Sequence, residues 1–250
     1  MFSDAARHYD SLLAEHYTWM FGVPFAEKAA EQQTILERLG VGASARRLAI
    51  DLGCGSGFQS IALADLGFER VLAIDTSATL LAELRRHAEE RPIEAVEADL
   101  SDLSLLVSPG GADAIVCMGD TLTHLDSTAD VICLFRNAHQ ALVPGGLFIL
   151  SFRNLSTALT GLDRFIPIRA DDDRVMTCFL EYEPETVVVH DLIHVRDGMG
   201  WSLRKSSYRK LRLAPTQAEA ELKKAGFEVQ HSETSGGLWI VAAAKRDAVM

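Results

Sequence analysis

The sequence predicts an α/β fold: a mostly parallel sheet with helices on both faces, interrupted by an antiparallel meander. Three observations carry that reading. From residue 47 onward, short and nearly all-apolar runs alternate with amphipathic stretches. Between residues 155 and 213 the alternation stops, and extended runs follow one another with only turn material between them. A glycine-rich loop, Asp51-Leu52-Gly53-Cys54-Gly55-Ser56-Gly57, leaves the first apolar run and opens an amphipathic one. In an open α/β sheet that is where a ligand binds.

Taken in order, residues 4–39 read as two helices broken near Gly22-Val23-Pro24. The first carries His8, Tyr9, His16, Tyr17, Trp19 and Phe21. The second runs from about Phe25 to Leu39 and ends at Gly40 and Gly42. Strands are expected at 48–51, 70–75, 93–99, 112–118 and 145–152. They are too uniformly apolar for a sheet with one wet face, so both faces are covered. Helices are expected in FQSIALADLG, SATLLAELRRHAEE and STADVICLFRNAHQAL. After loop-like residues through Asp171-Asp172-Asp173, three extended runs form the meander: RVMTCFLEYE, ETVVVHDLIHV and WSLRKSSYRKLRL. A last helix (PTQAEAELKKAG) leads to a closing hairpin, FEVQHSE and LWIVAAAK, at the sheet edge. The whole, 1–250, reads as one domain. Residues 1–42 are a helical lid, 43–154 and 214–250 the binding core, and 155–213 an insertion on the substrate side.

Charge limits the function. The 250 residues hold 35 Asp+Glu against 24 Lys+Arg, a net charge of −11. Such an excess argues against nucleic acid or an anionic membrane as the main partner. No apolar run is long enough to span a bilayer, and MFSDAARHYD lacks the order of a signal peptide. Cys54, Cys117, Cys133 and Cys178 are scattered, which fits reduced thiols in a cytoplasmic protein.

The glycine loop gains meaning from the acids that follow it. A second strand ends in Asp75, 18 residues after Gly57, and a third ends in Asp99, 24 further on. An acid at the end of the second strand suits the two hydroxyls of a ribose. The glycine order is D-x-G-x-G-x-G rather than G-x-G-x-x-G, with an acid two residues before the first glycine. That acid suits an ammonium better than a pyrophosphate and disfavours a NAD(P)-dependent oxidoreductase.

Over roughly 45–152 and 214–245 these residues resemble class I S-adenosylmethionine-dependent methyltransferases. The resemblance implies a Rossmann-like, seven-stranded sheet whose last strand is antiparallel, and S-adenosyl-L-methionine as cofactor, leaving as S-adenosyl-L-homocysteine. It implies that Gly53, Cys54, Gly55 and Gly57 line the methionine moiety, with Asp51 near its amino group. It places Asp75 on the ribose, Asp99 on the adenine amino group with Thr76 and Leu100 beside the ring, and Met118 and Gly119 near the sulfonium.

A second set follows the fourth strand: Cys117-Met118-Gly119-Asp120-Thr121-Leu122-Thr123-His124-Leu125, with Arg153-Asn154 ending the fifth. It resembles small-molecule N-methyltransferases of the glycine/sarcosine and amino-sugar types. The resemblance implies His124 near the reacting amine and Arg153 on a substrate carboxylate. Asp120 stands where the glycine group has asparagine, and it favours a cationic or hydroxylated acceptor. The lid aromatics Tyr9, Tyr17 and Trp19 are expected over the cofactor, with Tyr17 reaching the reaction centre.

Plainer readings stand beside these. His124 caps a helix, Arg153 pairs with Asp120, the lid aromatics are core, and Arg204, Lys205, Arg209, Lys210 and Arg212 form a solvated strand face. The Asp171–Asp173 triplet is a charged loop, and no metal is called for. The expected reaction is methyl transfer to a small amine. An O-methyltransferase of a hydroxylated acceptor and a non-catalytic cofactor-binding module are the alternatives. A homodimer is compatible with the sequence.

Overall fold

The computed structural model describes residues 4–43 and 45–246. The outermost parts of the expected lid and core ranges (1–3, 44 and 247–250) and the start of the N-terminal segment lie outside the described residues. Among the described residues no helix is long and apolar enough to cross a membrane.

The chain begins with a composite helix. It comprises α1 (Asp4–His8), a π turn (Tyr9–Leu13), a 3₁₀ turn (Ala14–His16) and α2 (Tyr17–Met20). Pro24 then opens α3 (Phe25–Arg38). The alternation follows: β1 (Leu48–Leu52), α4 (Phe58–Asp65), β2 (Arg70–Asp75), α5 (Ala78–Ala88), β3 (Ile93–Glu97), α6 (Leu103–Leu106), β4 (Ala112–Cys117), α7 (Thr128–Ala141) and β5 (Leu142–Phe152). A second sheet comprises β6 (Phe165–Ala170), β7 (Arg174–Tyr182), β8 (Thr186–Asp197) and β9 (Gly200–Leu211). The chain closes with α8 (Pro215–Lys224), β10 (Phe227–Ser235) and β11 (Leu238–Lys245).

The main sheet has seven strands in the order β10-β11-β5-β4-β1-β2-β3. Its central pairs are parallel, and β11 runs antiparallel to both β5 and β10. The strands are apolar on both sides because both sides are covered. Along β4, Ile115 and Cys117 join a core with Val131, Phe135 and Leu222 of α7 and α8. Their neighbours Ala114 and Val116 join Leu36, Leu63 and Leu66 beside α3 and α4. This two-residue period splits one strand between two cores.

The inserted sheet has four strands, β6-β7-β8-β9, all antiparallel. The sequence predicts three. It misses Phe165–Ala170, where Pro167 interrupts the pattern and most side chains stay exposed. Pro167 is tolerated because β6 is an edge strand with a register shift between Pro167 and Arg169.

The composite helix lies between the two sheets and is tied to both. Ser77 Oγ donates to Asp10 Oδ1 (2.8 Å) and Thr18 Oγ1 to Glu83 Oε1 (2.6 Å) on the main-sheet side. On the other side, His8 Nε2 meets Asp191 Oδ2 of β8 at 2.8 Å, both side chains being buried.

Candidate active site

At the carboxyl ends of β1, β2, β3 and β4 lies a cavity of about 740 Å³. Pockets for small molecules and cofactors run ~300–1,000 Å³. Its floor is the glycine loop. Gly53 has φ +69°, and a Cβ there would stand 2.2 Å from Thr121 Cγ2. Gly57 has φ +98°, and a Cβ there would stand 2.2 Å from Leu84 Cδ1. Both positions therefore demand glycine, for conformation and for space. The two glycines differ in role: Gly53 forms wall, whereas Gly57 lets α5 pack against the loop.

One end of the cavity holds acids on strand ends. Asp75 accepts the backbone N–H of Gly55 on Oδ2 and of Ser77 on Oδ1, both at 2.8 Å. Each carboxylate oxygen retains a second lone pair, so the group can still accept two hydroxyls. Burial raises its pKa, and the backbone bonds oppose that. Asp99 caps a 3₁₀ turn (Leu100–Asp102), with Oδ1 accepting from Ser101 N (2.9 Å) and Ser101 Oγ (2.7 Å). Its other oxygen is open to a donor such as an aromatic amine. Thr76, Leu100 and Leu134 complete this end. These residues fit the ribose and adenine of the cofactor that the resemblance implies.

The other end is aromatic. Tyr9 stands edge-on to His124 with centroids 5.7 Å apart, and 6.0 Å from Tyr17. Tyr208 of β9 stacks on His124 at 5.3 Å and lies tilted against His8 at 4.3 Å. The faces of such rings attract cations. Burial, and then the charge of Lys210, pull the His124 pKa down to about 3. The imidazole is therefore neutral at physiological pH, and its buried Nδ1 has no hydrogen-bond partner among the described residues.

The loop that presents His124 is pinned to β5. Gly119 N donates to Ser151 Oγ (2.9 Å) and Asp120 N to Ser151 O (3.2 Å). Asp120 has φ +80°, a conformation that aspartate tolerates better than most residues. Its carboxylate accepts from Arg153 N (2.6 Å), Arg153 Nη1 and Lys210 Nζ (3.0 Å). Burial alone would raise the Asp120 pKa. The Lys210 ammonium and the Arg153 guanidinium overcome it and hold the carboxyl well below its usual range.

Of the residues singled out by sequence, ten line the cavity: Tyr9, Tyr17, Gly53, Gly55, Asp75, Thr76, Asp99, Leu100, Gly119 and His124. The others do not line it. Asp51 is buried and bonded to Ser60 Oγ (2.6 Å), and burial pushes its pKa up to about 7. Cys54 packs against Ala73 and Leu84 of α5, and Met118 against the core beside α3 and α4. Trp19 faces the inserted sheet, where Nε1 donates to Asp171 Oδ2 (2.5 Å) and Arg174 lies over the ring. Asp120 and Arg153 form the ion pair just described.

The basic run of residues 204–212 is a solvated face only in part: Arg204, Lys205 and Arg209 are exposed, whereas Lys210 is buried and Arg212 half-buried. Lys210 is buried on Asp120, Arg209 pairs with Glu183 through two 3.0 Å bonds, and Arg212 donates to the carbonyls of Leu155, Glu183 and Ser156. Lys210, Tyr208, His8 and Asp191 escape sequence reasoning because their partners are distant in the chain. The one local signal is the two-residue alternation of β9, which sends Tyr208 and Lys210 to the same side.

Comparison with known proteins bears on the fold and the family. Residues 49–146 match the family model described as a methyltransferase domain. Cypemycin N-terminal methyltransferase from a Streptomyces species is 36% identical over 104 residues, which is 42% of this chain and 41% of that protein. Glycine/sarcosine N-methyltransferase from Parasynechococcus marenigrum is 32% identical over 117 residues, 46% of this chain and 41% of the relative. The chain thus spans about two-fifths of the length of these curated relatives. The solved CcbJ methyltransferase from Streptomyces caelestis superposes with a TM-score of 0.77 over 96% of this chain and 98% of the other, at 21% identity. At that identity the likeness establishes the fold.

Proposed function

We propose that this chain, whose residues 49–146 belong to the methyltransferase domain family, is an S-adenosylmethionine-dependent methyltransferase acting on the amine of a small molecule. One observation carries the reading. A single cavity joins two strand-end acids, suited to a nucleoside, to a neutral histidine framed by tyrosine rings. Relatives named for N-methyl transfer support it. Relatives named ubiquinone biosynthesis O-methyltransferases, 34% identical over about 115 residues, keep a hydroxylated acceptor as the second reading.

When bound, the cofactor supplies a methyl group already activated on a sulfonium. The chain's task is then to hold, align and exclude water. Asp75 fixes the ribose and Asp99 the adenine. Tyr9 and Tyr17 line the cavity from the lid side and would attract a cationic centre bound there, each cation–π contact being worth ~0.5–2 kcal/mol. Neutral His124 accepts a hydrogen bond from the amine and turns its lone pair toward the methyl carbon. Alignment of this kind supplies on the order of 7–11 kcal/mol in the best intramolecular reactions. A ring with a pKa near 3 does not keep a proton at pH 7, so the proton lost by the amine ends in solvent. The free cysteines, with Cys133 exposed, fit a reducing cytoplasm.

The test is a screen of amines, amino sugars and phenols with methyl-labelled cofactor. Label recovered on nitrogen supports the reading, and label recovered only on phenolic oxygen moves it to O-methyl transfer. A protein stabilised by NAD and not by S-adenosylhomocysteine refutes both.

A further inference from the structure

Resting on the methyltransferase reading, we propose that Asp120 sets the charge class of the acceptor. It withdraws the two nearby bases and so restricts the site to amines that carry no carboxylate or phosphate. Its buried carboxylate accepts from Arg153 through the backbone N–H and Nη1, and from Lys210 Nζ at 3.0 Å. Lys210 is 8% exposed, and its ammonium is paired with Asp120. The Arg153 side chain is solvent-exposed but bent onto Asp120, and it lines neither chamber of the site.

The chambers bear this out. The main cavity is lined by Asp75, Glu97, Asp99, Asp102, Asp126 and Asp130, with no lysine or arginine among its lining residues. Beyond His124, Leu125 and Asp126 a smaller chamber of about 80 Å³ adds two bases, Arg209 and Lys210. Arg209 is held by Glu183 and Lys210 by Asp120. An acceptor carboxylate would enter a field of like charge and meet no lining lysine or arginine without a carboxylate partner. A protonated amine entering the same cavity is attracted. Rejection by uncompensated like charge is a standard route to specificity. An aspartate at this position thus acts through the guanidinium and the ammonium it neutralises, as a specificity determinant that does no chemistry.

The experiment compares matched acceptors that differ at one group: ethanolamine against glycine, and glucosamine against glucosaminic acid. The readout is kcat/KM for methyl transfer. The wild-type protein is expected to prefer the carboxylate-free member of each pair by about tenfold or more. In Asp120→Asn, asparagine suits the positive φ and keeps one acceptor oxygen, while the charges of Arg153 and Lys210 are no longer balanced by a carboxylate at this position. That variant is expected to shrink the preference about fivefold or more, with S-adenosylhomocysteine affinity retained. A wild-type protein that transfers to the carboxylated members equally well, or to neither carboxylate-free amine, overturns the proposal without need of the variant. So does a folded Asp120→Asn protein with an unchanged preference. Loss of S-adenosylhomocysteine binding by the wild-type protein would instead sink the underlying methyltransferase reading.

Discussion

Asp75 and His124 divide the work of the cavity, and substitutions at the two should separate it. Removing a carboxylate that bonds ligand hydroxyls costs ~1.5–3 kcal/mol per charged hydrogen bond. Asp75→Ala should therefore weaken S-adenosylhomocysteine binding about 10- to 100-fold by calorimetry, and unchanged affinity would remove Asp75 from the ribose. His124→Ala should leave that affinity nearly intact and lower kcat on the order of 10²-fold through lost alignment. Wild-type turnover would make His124 structural. Asp51 offers a test by pH. Its folded pKa, about 7, lies above the ordinary carboxylate value. The native state therefore binds the extra proton between pH 4 and 7, and the Asp51 contribution to stability falls as pH rises through that window. Asp51→Asn should remove that fall, so the stability difference between variant and wild type should widen in the variant's favour from pH 4 to 7 in denaturant titrations. A pH-independent difference would contradict the raised pKa. These residues also mark where sequence reasoning reaches and where it stops. Asp75 and Asp99 were legible because strand ends locate them. Asp51 and Gly57 belong to the same motif, yet they serve Ser60 and Leu84, which only packing reveals.

Among the elements, the composite N-terminal helix is the piece that completes the site, since it brings Tyr9 and Tyr17 over the glycine loop. Its firmest anchor is the buried His8–Asp191 pair, reinforced by Cys178 Sγ donating to Asp191 Oδ1 at 2.6 Å. Removing one partner of a buried pair costs ~3–5 kcal/mol. Asp191→Ala should thus speed amide hydrogen exchange in residues 4–20 before it affects β1, β4 and β5. Uniform exchange across both regions would show that the helix is no separate unit. The seven main strands and their longer helices could be read from periodicity, because each carries its own apolar pattern; the four-residue α6 (Leu103–Leu106) is too short to show one. The inserted sheet was legible only in part. β6 is short, largely exposed and interrupted by Pro167, so no alternation announces it. In β9 the charged run reads as solvated, because the acids that neutralise it lie 26 residues away for Arg209 and 90 for Lys210.

Over the whole molecule the charge of −11 is distributed with purpose. Much of the surface charge is paired, whereas the cavity concentrates six carboxylates with no lysine or arginine among its lining residues. The fold makes this possible by collecting strand ends from β1, β2, β3 and β4 on one edge, while the end of β5 and the inserted β9 supply Arg153 and Lys210, which Asp120 neutralises. The central claim is that one cavity holds the cofactor with its sulfur toward His124. The most direct test is a crystal structure of the complex with S-adenosylhomocysteine. The ribose should lie on Asp75, the adenine between Asp99 and Leu134, and the sulfur facing the His124–Tyr208 stack. A ligand bound elsewhere, or one with its sulfur turned away from His124, would contradict it.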